Sequence, residues 1–171
     1  ASAAQVNGTL AFLRAALPLG APRIAVLGTG SAHADNTPKA WPEVFKDSLA
    51  PRLPGKTLQL TLSARRSESA ERQLADLRSL LTGKPQLVIW QTGTVDAVRH
   101  ADVIEFSAVL IDGITLARDA GADVVLVGPQ YSPRASALVN FSRYISVMAQ
   151  IARAYDVPFL DRYGLMQEWA D

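Results

Sequence analysis

Apolar positions along the 171-residue chain fall into two alternating kinds of stretch. Short, near-continuous apolar runs at Arg23–Leu27, Thr57–Leu62, Gln86–Gln91, Ala122–Val127 and Val157–Leu160 predict five buried strands. Between them, apolar residues recur every three or four positions, the spacing of one helix face. The segment AWPEVFKDSLAPRL follows the first strand. SESAERQLADLRSLL, with Ser67 as its expected N-cap, follows the second. DVIEFSAVLIDGITLARDAG places Val103, Phe106, Leu110 and Ala117 on one face and closes at Gly121. ASALVNFSRYISVMAQIARAY does the same with Leu138, Phe141, Ile145, Met148, Ala152 and Tyr155, a stripe read as core rather than as a partner-helix surface.

Strands apolar on both faces, alternating with amphipathic helices, describe a parallel sheet covered on both sides, an α/β fold. Val6, Leu10, Leu13 and Leu17 predict a helical extension over residues 1–22, packed on a domain spanning 23–171. No repeat, low-complexity tract or second domain interrupts the pattern.

Composition narrows the function. The apolar fraction is 49% and the charged fraction 19%, ordinary values for a globular chain. Lys and Arg number 17 against 16 Asp and Glu, so no net charge draws the chain to nucleic acid or an anionic membrane. No apolar run reaches the roughly 18 residues that span a bilayer. The absence of cysteine removes disulfides and thiolate metal sites, and two histidines give no ligand spacing for a metal. The small-residue start ASAA resembles what a signal peptidase leaves, which predicts export, to a periplasm in a bacterium. Trp41, Trp90 and Trp169 are spread over separate elements and are expected in ordinary core positions.

In open α/β sheets, ligands bind outside the carboxyl ends of the strands. The first strand ends in Gly28-Thr29-Gly30-Ser31, which lacks the third glycine of a dinucleotide fingerprint. No phosphate-loop motif occurs, and the paired aspartates of a phosphoacceptor module are missing. No cofactor is therefore expected.

The third strand runs into Gln91-Thr92-Gly93-Thr94-Val95-Asp96, which resembles the GTND block of the SGNH/GDSL hydrolases. GADVVLVGPQYSPR and VPFLDRYGLMQEW are similar to a bacterial subgroup of that superfamily, and the first strand then falls at its GDSL block. The resemblance covers Arg23 to Trp169. It implies a three-layer α/β/α sandwich on a five-stranded parallel sheet, of flavodoxin-like topology. It also implies acyl transfer: a serine attacks an ester carbonyl, a histidine takes its proton, and backbone N–H groups with an asparagine hold the oxyanion.

Residue by residue, this chain departs from that pattern. Gly30 stands at the nucleophile position and Val95 at that of the oxyanion asparagine, while Ser67 falls near the oxyanion glycine. The Asp-x-x-His block would follow LMQEW, past Asp171. Losing one oxyanion donor reduces rate by about 10²–10³, and a missing base costs comparably to a missing nucleophile. Rescue would fall to Ser31 as a displaced nucleophile, with His33 or His100 as base. The bland alternatives are a turn serine and two solvated histidines. Asp96 reads as a structural cap beside Gly93. Arg65, Arg66, Tyr131 and Arg134 are the candidate ligand-binding side chains, with guanidiniums suited to a carboxylate or phosphate. Asp161-Arg162 is expected to cap the last helix.

Two functions follow from this reading. One is a degenerate SGNH-like domain, a pseudoenzyme that binds a small ester, a glycan or a protein partner. The other is a serine ester hydrolase, an esterase or carbohydrate deacetylase with a rearranged site around Ser31.

Overall fold

A computed structural model describes residues 8–32 and 39–170. Five strands form one parallel sheet: β1 (Arg23–Gly28), β2 (Gln59–Ala64), β3 (Leu87–Gln91), β4 (Asp123–Val127) and β5 (Phe159–Leu160). Their order is β2-β1-β3-β4-β5, and every adjacent pair is parallel. This is the flavodoxin-like order, in which the chain reverses its winding between β1 and β3 and opens a crevice there.

Among the described residues eight helices flank the strands: α1 (Ala11–Ala16), α2 (Trp41–Leu49), α3 (Ala70–Leu81), α4 (Thr94–Val98), α5 (Val103–Asp119), α6 (Pro133–Ser136), α7 (Ser142–Ala154) and α8 (Arg162–Ala170). The period of two along each strand sorts its side chains into two cores. Ala25, Leu27, Val88, Trp90, Val124 and Leu126 pack against α3, α5 and α7. Ile24, Val26, Leu87, Ile89 and Val127 lie on the opposite face, against Trp41 and Phe45 of α2 and Leu13 of α1. The sandwich therefore has the three layers expected from the sequence.

The two edges differ from expectation. β2 begins at Gln59 rather than Thr57 and runs to Ala64, and it is mostly exposed or half-buried. An edge strand has a neighbour on one side only, so its apolar run is not sealed as in β1, β3 and β4. β5 shortens to two residues.

The helix stripes hold where they meet the sheet. Phe141, Met148 and Ala152 are buried, whereas Leu138 precedes α7 and is 80% exposed. Gly121 takes the left-handed conformation (φ +79°) just beyond α5, whose start is capped by Asp102 accepting from the Ile104 and Glu105 N–H groups. The α3 N-cap is Ser69, and its side chain makes no cap bond; Ser67 lies outside the helix.

One glycine is fixed by close approach. A Cβ on Gly113 of α5 would stand 2.3 Å from the Trp90 ring. The absent side chain lets α5 settle onto the fully buried indole, whose N–H donates to Gln73 Oε1 at 2.8 Å. The N-terminal segment joins the same body: Leu13 N–H donates to Asp123 Oδ2 at 2.8 Å, and Leu10 and Leu13 pack on the second core. No helix among the described residues is long and apolar enough to cross a membrane.

Candidate functional site

The carboxyl ends of β1, β4 and β5 open into a cleft of about 1380 Å³ between α2 and α8. Its polar floor is built from the turn after β1. Gly28 ends the strand, and Gly30–Ala32 form a single 3₁₀ turn closed by Ala32 N–H on Thr29 O at 2.8 Å. That turn presents Ser31 to the cleft.

β3 supplies the partner. Along LVIWQ the period of two puts Gln91 on the same face as Leu87 and Ile89, the face covered by α2. Trp41 Nε1 donates to Gln91 Oε1 at 2.9 Å. An indole N–H can only donate, so the other end of the amide is the NH₂ group. Gln91 Nε2 donates to Ser31 Oγ at 2.6 Å and lies 3.3 Å from Thr29 Oγ1. Behind it, Gln73 Nε2 donates to the Gln91 carbonyl at 3.1 Å. A buried relay thus runs from Trp90 through Gln73 and β3 to the serine turn.

The second contact to Ser31 comes from α8. Arg162 Nη1 donates to Ser31 Oγ at 3.2 Å. Asp161 caps the helix by accepting from Gly164 N–H at 3.0 Å, which sets the first turn and the arginine's direction. Arg162 Nε and Nη2 are buried and make no hydrogen bond among the described residues. Burial without a counter-charge pushes this guanidinium down to about 10, still fully cationic at neutral pH.

Ser31 Oγ therefore receives two donors, an amide and a guanidinium. A serine nucleophile needs the opposite, an acceptor that takes its proton. Among the described residues no such acceptor contacts it.

The other expected residues are dispersed. His33 lies outside the described residues. His100 is exposed and occupies a left-handed position (φ +54°) just past α4, with its N–H on Ala97 O. It does not line the cleft. Gly30 and Ser67 do, and Ser67 takes φ +58°, a conformation that favours glycine. Gly93 (φ +90°) caps α4 ahead of half-buried Val95, which carries no donor for an oxyanion.

Asp96 is buried and accepts from Ala70 N–H at 3.0 Å, tying α4 to the start of α3. Burial raises its pKa, against the hydrogen bonds that lower it. Arg66 lines the cleft, whereas Arg65 points to Asp76 at 3.3 Å and Glu68 at 3.8 Å. Tyr131 stacks edge-on with Tyr163 at 5.2 Å, and Arg134 is exposed and does not line the cleft. No group of three or more metal-binding side chains occurs among the described residues.

The tryptophans correct the expectation of ordinary cores. Trp90 is fully buried, but Trp41 and the 78% exposed Trp169 both line the cleft. Four residues that line the cleft or bond to its serine turn, Gln91, Trp41, Arg162 and Trp169, were not singled out as site residues from the sequence. A glutamine closing the otherwise apolar run LVIW was the available signal, since a polar side chain buried at a strand's carboxyl end needs hydrogen-bond partners, which Gln91 finds in the serine turn and Trp41.

The strand order and the serine turn beneath an apolar cleft define an SGNH-type hydrolase fold. The chain belongs to the Non-GDSL lipase-like family, which matches it over residues 1–171, and so to the SGNH/GDSL hydrolase superfamily. No curated protein matches the chain.

Solved structures share its fold. TesA superimposes with a TM-score of 0.70 at 22% identity, covering 80% of this chain and 76% of that one. The lipase/acylhydrolase from Enterococcus faecalis gives 0.72 at 21% identity, covering 85% and 78%. The SGNH-hydrolase family esterase AlinE4 gives 0.69 at 17% identity, covering 82% and 75%. At such identities the likeness speaks for the fold alone.

Proposed function

We propose that this chain is a catalytically degenerate SGNH-type domain whose cleft binds a ligand rather than cleaving an ester. The observation that carries the reading is the pair of donors on Ser31 Oγ, Gln91 Nε2 at 2.6 Å and Arg162 Nη1 at 3.2 Å. Both stabilise electron density on the oxygen, yet neither removes its proton. Gly30 offers no nucleophile and Val95 no oxyanion donor, so the nucleophile and oxyanion positions are both altered.

The cleft itself is kept and furnished. Apolar side chains of α2 and α8 wall it, and Ser31, Arg66 and Arg162 give it a polar, cationic floor. That combination suits recognition of a small amphipathic molecule. Export to a periplasm is part of the same proposal, and it is tested by locating the protein in fractionated cells.

The test is turnover of short aryl esters by the wild type and by Ser31→Ala. The reading predicts rates indistinguishable from each other and from buffer. Turnover that Ser31→Ala abolishes would instead support an ester hydrolase with a rearranged site.

A further inference from the structure

The 17 Lys and Arg balance 16 Asp and Glu over the whole chain, but folding does not spread them evenly. The imbalance lies at the amino ends of β1, β2 and β3, the end of the sheet opposite the cleft. Three stretches meet there, residues 8–23, 50–57 and 82–86. The first runs along the sheet edge, from Leu13 N–H on Asp123 at the start of β4 to the Gly20 carbonyl, which accepts from Thr57 N–H at 2.8 Å ahead of β2. Arg23 Nε donates to the Lys84 carbonyl at 2.8 Å and Lys56 Nζ to the Pro18 carbonyl at 3.4 Å, tying the three together. These stretches carry Arg14, Arg23, Arg52, Lys56 and Lys84 and no aspartate or glutamate. None of these cations joins an ion pair among the described residues. The carbonyls that Arg23 and Lys56 bond are neutral, so the charge stays uncompensated. Toward β4 and β5 the turns bring Asp119, Asp123 and Asp156, and the basic patch stops there.

Apolar side chains stand in the same patch. Leu19 ends the 3₁₀ turn Leu17–Leu19 and is 84% exposed, and Phe12 of α1 is 41% exposed. Leu19 follows directly on Pro18, whose carbonyl holds Lys56. A projecting leucine ringed by uncompensated cations is the pattern of a peripheral membrane contact, in which basic side chains meet lipid phosphates and an apolar tip enters the layer beneath. A nucleic acid would satisfy the cations but offers no apolar layer to Leu19.

We infer that this amino-end edge docks on an anionic lipid bilayer, with its cations among the headgroups and Leu19 inserted below them. Docked in this way, the protein turns its cleft, at the carboxyl ends of the strands, away from the bilayer and open to water. The inference is independent of what the cleft binds.

The experiment is co-sedimentation of the protein with vesicles of phosphatidylcholine and of an equal mixture of phosphatidylcholine and phosphatidylglycerol. Thermal melts establish that each variant is folded. The wild type should bind the mixed vesicles at least about tenfold better than phosphatidylcholine alone, and salt should erode that preference. Arg14, Arg52 and Lys84 are exposed, so Arg14→Gln, Arg52→Gln and Lys84→Gln should each fold and weaken binding about fivefold, the share of one cation near such a surface. Leu19→Ser should weaken binding at low and high salt alike, because burial of an apolar side chain is not screened. The double variant Arg134→Gln/Arg143→Gln, which removes two exposed cations outside the patch, should bind as the wild type does. No preference for the anionic vesicles, or an equal loss in the Arg134/Arg143 variant, overturns the patch. Weakening by the charge variants with Leu19→Ser unchanged overturns the lipid assignment and leaves a surface for polyanions in general.

Discussion

Gln91 donates to the hydroxyl of Ser31 at 2.6 Å, and the direction of that bond is set by Trp41 on the other end of the same amide. A side chain that holds a serine as an acceptor cannot also be its base. The coupling can be measured. Gln91→Leu leaves the Trp41 N–H without its partner and should lower stability by about 1–3 kcal/mol. In a Trp41→Phe background the same change should cost about 1 kcal/mol less, read by urea unfolding of the four proteins in the cycle.

Ser67 sits where the superfamily resemblance places a glycine, and it holds φ +58°. A left-handed backbone costs a side-chain-bearing residue about 1–2 kcal/mol, partly offset in glycine by the entropy of its unfolded chain. Ser67→Gly should therefore raise stability by about 0.5–1 kcal/mol. A drop in the urea midpoint would show that the serine side chain contributes a contact of its own.

Gly30 is a different kind of glycine. A Cβ there meets only Arg66 Cγ at 3.9 Å, ordinary van der Waals contact. Gly30→Ser should fold with stability within about 0.5 kcal/mol of the wild type and gain no esterase activity, because Val95 still supplies no side-chain donor for an oxyanion. Measurable ester turnover in that single variant would locate a competent base in the cleft.

The central layers of the fold were legible in the sequence because β1, β3 and β4 are buried on both faces and read as unbroken apolar runs. β2 and β5 were placed with shifted ends, since a strand at a sheet edge is framed by solvent as much as by pattern. The site was less legible. Ser31, Gly30, Ser67 and Arg66 could be named from their place after strands, and all four line the cleft. Arg162 could not be told from a helix-start arginine, because its meaning depends on burial and on the partners it lacks. Trp169 looked like a core residue because sequence shows a helix's apolar face but not whether a core or a cleft lies opposite it.

Asp96 contributes a pH dependence of its own. Burial raises its folded pKa above the ordinary carboxylate value of 3.8, so the folded state holds the proton more tightly than the unfolded chain does. Its contribution to stability is then fully present below 3.8 and is lost as pH rises through the raised folded value. Asp96→Ala, which abandons the Ala70 N–H, should lower stability by about 1–3 kcal/mol at neutral pH. The gap between wild type and variant should widen as pH falls across that window. A gap that narrows on acidification would assign Asp96 the opposite sign.

Gly113→Ala tests the packing that holds the site from behind. The added methyl would overlap the Trp90 ring at 2.3 Å, and overpacking of this kind costs about 1–3 kcal/mol. Because Trp90, Gln73 and Gln91 are joined by hydrogen bonds, the strain should also loosen the serine turn, read as faster amide exchange at Ser31 and Ala32. Unchanged stability would show that α5 can shift away from the sheet freely.

The most direct measurement is reaction of the protein with a fluorophosphonate, followed by intact mass. An activated serine forms a covalent phosphonyl adduct; a serine held only by donors does not. The account predicts an unmodified mass for the wild type under conditions that fully label an intact SGNH esterase. An adduct that is lost in Ser31→Ala would contradict it and make Ser31 a working nucleophile.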